Sequence, residues 1–225
     1  MVIFSPNRLE MLELELAVMA SGGIAVPIFA FFHKETAELL INHSDAKYLA
    51  VAGDLQLRSV TDVHVKNIFV FDEVEKKYFP YQVAFVELLK DRSDKEFSLN
   101  TNEDPDEICL NMYTSGTMGI PKCVQLSHKN ILSQQAALAM VWSLDESDRF
   151  LSYLPWHHSF GGIFELFTAL YNGAAISLES GYGKDPVVIM ENWKLVQPTV
   201  FFSVPKVYQS LFDLTKQDIE ASDLF

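Results

Sequence analysis

The sequence predicts an α/β fold in which mostly parallel sheets are flanked by helices, and three observations carry that expectation. Short β-branched and aromatic runs alternate with helical periodicity along the chain. The strand-like runs, such as Val2 to Phe4 and Tyr48 to Val51, are apolar at successive residues, the pattern of strands covered on both faces. A hydrophobic fraction of 49% over 225 residues supplies a sizeable core, because a chain of this size buries about 70% of its unfolded surface.

Val2-Ile3-Phe4 reads as a strand opening at residue 1, which predicts a chain shortened at its front. After Pro6-Asn7, Leu9, Leu12, Leu16 and Met19 recur at three- and four-residue spacing and predict a helix that Gly22-Gly23 stop. Ala25 to Phe29, Tyr48 to Val51 and Asn67 to Phe71 are the next strands, with a short helix over Glu35 to Asn42. From Lys90 to Asp106 the composition shifts to charged and hydroxyl residues and ends in the breaker Asp104-Pro105-Asp106. The division expected there is an α/β subdomain over residues 1–100 and a second over residues 101–225. In the second, strands Ile108 to Tyr113 and Val124 to Leu126 flank a Gly-rich loop, and Ser127 is placed to cap a helix over Lys129 to Val141. Helices over Phe160 to Tyr171, Pro186 to Val196 and Pro205 to Leu214 then alternate with strands over Ala174 to Leu178 and Thr199 to Phe202.

Composition removes several classes of function. With 17 Lys and Arg against 30 Asp and Glu the formal charge is −13, which gives no overall field for nucleic acid or anionic lipid, so any phosphate must be bound locally. Two cysteines, Cys109 and Cys123, make no disulfide framework and no zinc cluster, and a reducing cytoplasm is expected. The longest uncharged run, Leu16 to Phe32, is broken by Gly22, Gly23 and Pro27 and falls short of the roughly 20 apolar residues of a spanning helix. No secretory signal is recognised and no transmembrane segment is expected, while peripheral contact with a membrane stays open.

The most informative stretch is Tyr113-Thr114-Ser115-Gly116-Thr117-Met118-Gly119-Ile120-Pro121-Lys122-Cys123-Val124. Gly116 and Gly119 permit positive φ, so backbone N–H groups can turn inward as an anion nest. Thr114, Ser115 and Thr117 add hydroxyl donors, and Lys122 adds a point charge; each hydrogen bond to a charged partner contributes roughly 1.5 to 3 kcal/mol. The loop is not a Walker A loop, since Pro121 and Cys123 stand where that motif needs glycine and a hydroxyl residue. Lys122 instead comes off a strand entrance. The plainer reading of the stretch is a polar turn between two strands, and the order of hydroxyls, glycines and Pro-Lys favours phosphate.

Together with Leu126-Ser127-His128-Lys129-Asn130, this stretch resembles the phosphate-loop signature of adenylate-forming enzymes, the family of acyl-CoA synthetases, luciferases and peptide-synthetase adenylation domains. The resemblance implies that Thr114, Ser115, Gly116, Thr117, Met118, Gly119 and Lys122 embrace the β- and γ-phosphates of ATP while a carboxylate attacks the α-phosphate. Two positions depart from it: Met118 stands where the family usually has Thr or Ser, and Cys123 where it usually has Gly. The first removes a hydroxyl donor and leaves the backbone nest.

Leu154-Pro155-Trp156-His157-His158-Ser159-Phe160-Gly161 follows a strand and precedes an apolar helix. Adjacent histidines invite metal or base chemistry, yet no Asp or Glu accompanies them at ligand spacing, so no metal site is expected and residue type alone favours a structural histidine. The stretch is similar to the family's Leu-Pro-x-x-His-x-x-Gly motif, which implies that His158 and Gly161 position the acyl carboxylate and that His158 does not transfer a proton. Phe160, Phe164 and Phe167 at helical spacing are expected to pack in the core rather than line an acyl tunnel.

Similarity continues through Pro6-Asn7-Arg8, Ala25-Val26-Pro27, Gln197 to Phe201 and Val204-Pro205-Lys206-Val207-Tyr208, and the run from Pro198 to Tyr208 looks most like long-chain fatty acyl-CoA synthetases. The family's adenine, ribose and catalytic-lysine motifs are absent from these residues, so no catalytic set is complete here. The expectation is therefore the N-terminal portion of the adenylate-forming fold, from a ligase using ATP, Mg2+ and CoA on a fatty acid, with little turnover by this portion alone. An adenylating enzyme for another carboxylic acid and a non-catalytic nucleotide-binding fragment stay open. A hydrolase built on Cys109, Cys123 or a serine with His158 is the rival from another class, and no Gly-x-Ser-x-Gly elbow supports it.

Overall fold

A computed structural model describes residues 1–90, 104–114 and 121–221. The chain divides into two compact units, Met1–Leu132 and Ser133–Phe225.

The first unit is built on a five-stranded sheet with all strands parallel. Its strands are β1 (Val2–Phe4), β2 (Val26–Ile28), β3 (Tyr48–Val51), β4 (Asn67–Val70) and β5 (Gln82–Ala84), in the order β2-β1-β3-β4-β5. Helices α1 (Leu9–Ala20), α2 (Lys34–His43) and α3 (Asp54–Arg58) form the connections from β1 to β4, and α4 (Phe85–Lys90) follows β5. Right-handed crossovers in this strand order put α1 on one face and α2 and α3 on the other. The core follows that division. Val2, Phe4, Val26, Ile28, Leu49, Val51, Ile68 and Val70, alternate residues of four strands, share one cluster with Leu40 and Ile41 of α2 and Leu57 of α3. Ile3 and Ala50, whose parity assigns them to the opposite face, are fully buried as well.

Helix α1 lies where the periodicity places it, but it buries a different stripe. Met11, Glu15 and Met19 are buried, whereas Leu9 is 62% exposed. Two stripes at helical spacing, Leu9-Leu12-Leu16-Met19 and Met11-Glu15-Met19, share Met19, and the one containing a glutamate is buried.

Strands β6 (Ile108–Thr114) and β7 (Lys122–Ser127) form an antiparallel hairpin. It joins the first unit at Ala25, whose N–H donates to the Cys109 carbonyl at 2.9 Å and whose carbonyl accepts from the Asn111 N–H at 2.8 Å. The first unit therefore extends to Leu132, past the division expected between residues 100 and 101. Ser127 caps α5 (His128–Ala139): its Oγ accepts from the Asn130 N–H at 3.2 Å, while Asn130 Oδ1 accepts from the Ser127 N–H at 3.0 Å, a reciprocal capping pair.

In the second unit β8 (Arg149–Ser152) pairs in parallel with β9 (Ala175–Leu178). The strand expected over Thr199 to Phe202 is reduced to a single bridge between Phe150 and Val200. Backbone bonds from the Thr199 and Val200 N–H groups to the Arg149 carbonyl, at 3.0 and 3.1 Å, are joined by side-chain ones, since Thr199 Oγ1 donates to Asp148 at 2.6 Å and accepts from the Arg149 N–H at 2.9 Å. The helix expected over Phe160 to Tyr171 begins as a wide, π-type segment, Phe160–Leu166, and continues as α6 (Phe167–Asn172). Helices α7 (Pro186–Val196) and α8 (Pro205–Ala221) complete the unit. Asp185 caps α7 by accepting from the Val187 N–H at 2.8 Å. Phe160 and Phe164 stack with Phe202, and Phe164 also meets Trp142 edge-on, while Phe167 is buried. Phe167 is thus a core residue, as the helical spacing predicts, whereas Phe160 and Phe164 are half-buried. Among the described residues no helix is long and apolar enough to cross a membrane.

Candidate functional site

In the first unit the chemistry gathers at the open end of the β6–β7 hairpin. Thr114, the last residue of β6, is the cross-strand partner of Lys122, the first residue of β7, and both are exposed. A hydroxyl and an ammonium thus stand side by side where the strands part. The Pro-Lys pair folds this way because Pro121 ends the loop with fixed φ and no N–H, and the ladder starts at the next residue. Ser115, Gly116, Thr117, Met118 and Gly119 lie outside the described residues.

One step down the ladder, Tyr113 pairs with Cys123. The Tyr113 hydroxyl donates to the Leu40 carbonyl at 3.4 Å and lies 2.8 Å from Nδ1 of His43. Burial, with Cys123 and Asp45 nearby, pushes the Tyr113 phenol up to about 12. Burial also raises the Cys123 thiol, and the buried Cys109 Sγ sits 3.6 Å from the Leu126 carbonyl. A protonated, half-buried thiol and a buried one are poor nucleophiles, which removes the chemical basis for a cysteine hydrolase. Cys123 instead anchors the strand through its phenol partner.

In the second unit, the loop after β8 carries the paired histidines. The His158 N–H donates to the Pro155 carbonyl at 3.1 Å, and the His158 carbonyl accepts from the Gly162 N–H at 2.7 Å, so a tight turn leads into the π-type segment. The two rings differ. His157 is half-buried, and burial followed by the nearby His158 lowers it to about 4, so it is neutral near pH 7. His158 is exposed, and its Nδ1 accepts from the Phe160 N–H at 3.2 Å. That bond leaves the proton of the neutral ring on Nε2, as an outward donor. Gly161 is required by close approach: a Cβ there would sit 2.7 Å from the Leu154 carbonyl oxygen and press on that of Pro155 as well. The motif's glycine thus lets the π-type segment abut the loop that carries His158.

Beneath this loop lies a cluster that motif reading missed. Glu165 is fully buried, Ser152 Oγ donates to its Oε2 at 2.5 Å, and Trp156 Nε1 donates to Ser152 Oγ at 3.2 Å. Burial raises Glu165 to about 8. The sequence does hold one signal for it, since Glu165 is the sole charge between Phe160 and Tyr171. Among the described residues no group of three or more His, Cys, Asp or Glu could hold a metal ion. The described side chains therefore form no protein cage for Mg2+, an ion that commonly arrives on the phosphates it serves.

The AMP-binding enzyme family matches residues 1–224. Fatty acyl-CoA synthetase B of Dictyostelium discoideum is 30% identical over 224 residues, covering 93% of this chain and 32% of that protein. Long chain acyl-CoA synthetase 2 of Arabidopsis thaliana is 30% identical over 241 residues, covering 99% and 35%. The chain thus spans about a third of the length of these relatives. The fold is shared with anthranilate CoA ligase AuaEII in complex with anthranoyl-AMP, at a TM-score of 0.81 and 21% identity over 92% of this chain and 40% of that one. It is also shared with ATP-bound MatB from Rhodopseudomonas palustris, at 0.73 and 21% over 93% and 40%. With a family match over residues 1–224, the chain belongs to the AMP-binding enzyme family.

Proposed function

We propose that this chain is the phosphate-binding and carboxylate-positioning part of an ATP-dependent acyl-CoA ligase acting on long-chain fatty acids. In that reaction the acid's carboxylate oxygen attacks the α-phosphorus of ATP, the bond to the bridging oxygen breaks, and pyrophosphate leaves. The CoA thiolate then attacks the acyl carbonyl and AMP leaves. Thr114, Ser115, Gly116, Thr117, Met118, Gly119 and Lys122 would hold the departing phosphates, and His158 would donate from Nε2 to the carboxylate, with Gly161 keeping its loop in place. The long-chain class rests on the name of the Arabidopsis relative and on the run from Pro198 to Tyr208, and a cytoplasmic setting accords with the two free thiols.

The observation that carries the reading is the pairing of Thr114 with Lys122 across the mouth of the loop. It brings a hydroxyl and a cation together without a helix N-terminus, which suits a polyphosphate gripped by backbone and side chains. Titration of the chain with ATP, pyrophosphate and AMP tests it. ATP and pyrophosphate should bind and AMP should not, and Lys122→Ala should weaken both by about tenfold or more, the effect of losing a charged hydrogen bond. Equal binding by Lys122→Ala overturns the reading.

A further inference from the structure

The residues that shape the histidine loop do not end at Gly161. Ser152 is the last residue of β8, Trp156 lies two positions before His158, and Glu165 sits within the π-type segment. All three are buried, with exposures of 1%, 2% and 0%. Their hydrogen bonds run in one line, from the Trp156 indole to the Ser152 hydroxyl to the Glu165 carboxyl. The line ties the strand before the loop, the loop itself and the helix after it to one buried acid. The other carboxyl oxygen of Glu165, Oε1, has no hydrogen-bond partner. An apolar residue of similar volume would fill this position at less cost, because a buried carboxyl with one bonded oxygen is tolerable only while neutral.

We infer that Glu165 is a positioning residue for the His158 loop, acting through Ser152 and Trp156, and that the loop loses its fixed geometry when Glu165 ionises. The inference rests on the reading of His158 as the contact for the acyl carboxylate. Burial raises the Glu165 carboxyl to about 8, and the bond from Ser152 offsets only part of that rise. The titratable neighbour it acts on is Tyr153, whose phenol is raised by burial and further by Glu165, and whose hydroxyl lies 2.7 Å from Ser203 Oγ. The lowering of His157 comes from burial and His158. In the unfolded chain a glutamate ionises near about 4.3, so between that pH and about 8 the unfolded state holds fewer protons than the native one. Stability therefore falls as pH rises through this window and levels off above it.

Trp156 gives a direct readout. The chain holds 3 tryptophans, and Trp142→Phe with Trp193→Phe leaves Trp156 as the sole indole. Its fluorescence is followed from pH 5 to pH 10 with Glu165 present and with Glu165→Gln, which keeps an acceptor for Ser152. A transition centred near 8 with Glu165 and none with Glu165→Gln is expected. The same transition in both, or none in either, overturns the inference. If the two replacements prevent folding, the pH difference spectrum of the three-tryptophan chain against its Glu165→Gln form makes the same comparison. Oleate is the probe for function: its affinity should fall about tenfold between pH 7 and pH 9, and Glu165→Gln should flatten that fall. A Trp156 transition accompanied by pH-independent oleate binding overturns the positioning role. This experiment contains no nucleotide, so a failure of phosphate binding by Lys122 is read separately in the ATP titration.

Discussion

Glu15 and Glu165 occupy the interiors of the two units, Glu15 on α1 and Glu165 in the π-type segment, and burial raises both to about 8. Their surroundings differ. Neither carboxyl oxygen of Glu15 has a hydrogen-bond partner, whereas Glu165 is bonded to Ser152 and through it to the loop of His158. Glu179, 3% exposed, is a third case: it closes a turn by accepting from the N–H groups of Gly181 and Gly183, each at 2.6 Å. Burial alone thus marks only a cost. The partners decide whether the acid is a burden on one helix, a clasp for a turn or a link between a strand and the loop that follows it.

The comparison can be sharpened by substitution. The largest effect should come from Gly161→Ala, whose Cβ would press on the carbonyl oxygens of Leu154 and Pro155; backbone cannot yield as a side chain tip can, and thermal unfolding should show a loss of about 3 kcal/mol or more. Next comes Glu15→Gln. Because Glu15 holds its proton up to about 8 when folded and only to about 4.3 when unfolded, native stability drains away as pH rises between those values. Urea unfolding at pH 6 should find Glu15→Gln more stable by roughly 2 kcal/mol, with the advantage gone at pH 4. An unchanged gap at pH 4 would mean the acid carries no buried charge cost. The smallest effect should be Leu9→Ala, within about 0.5 kcal/mol by the same unfolding measurement, since Leu9 is 62% exposed. A larger loss there would mean that α1 buries the leucine stripe after all.

That last substitution also shows where sequence reading stops. Strands β1 to β4 of the first sheet were legible because runs such as Tyr48–Val51 are apolar on both faces, and the structure returns that strand unchanged, whereas β5, three residues with none buried, was not. Helix α1 was legible as a helix, but its face was not, because Leu9-Leu12-Leu16 and Met11-Glu15-Met19 both repeat at helical spacing. Only the tertiary packing decides between them. Thr199 to Phe202 looked like a strand by composition, yet Thr199 satisfies Asp148 and Arg149 with its side chain, a tertiary arrangement no local pattern encodes. At the candidate site, Thr114, Lys122 and His158 were legible because they lie in contiguous motifs. The Glu165 line was not, because its three members are brought together by the turn from β8 into the π-type segment.

The attachment of the β6–β7 hairpin through Ala25 has a kinetic consequence. The hairpin's own contacts are local and form quickly, while the Ala25 pairings with Cys109 and Asn111 close a long stretch of chain. Docking of the β6–β7 hairpin onto the first sheet is therefore expected on the late side of the folding barrier. Weakening that seam would register in how fast the native chain comes apart, and hardly at all in how fast it assembles.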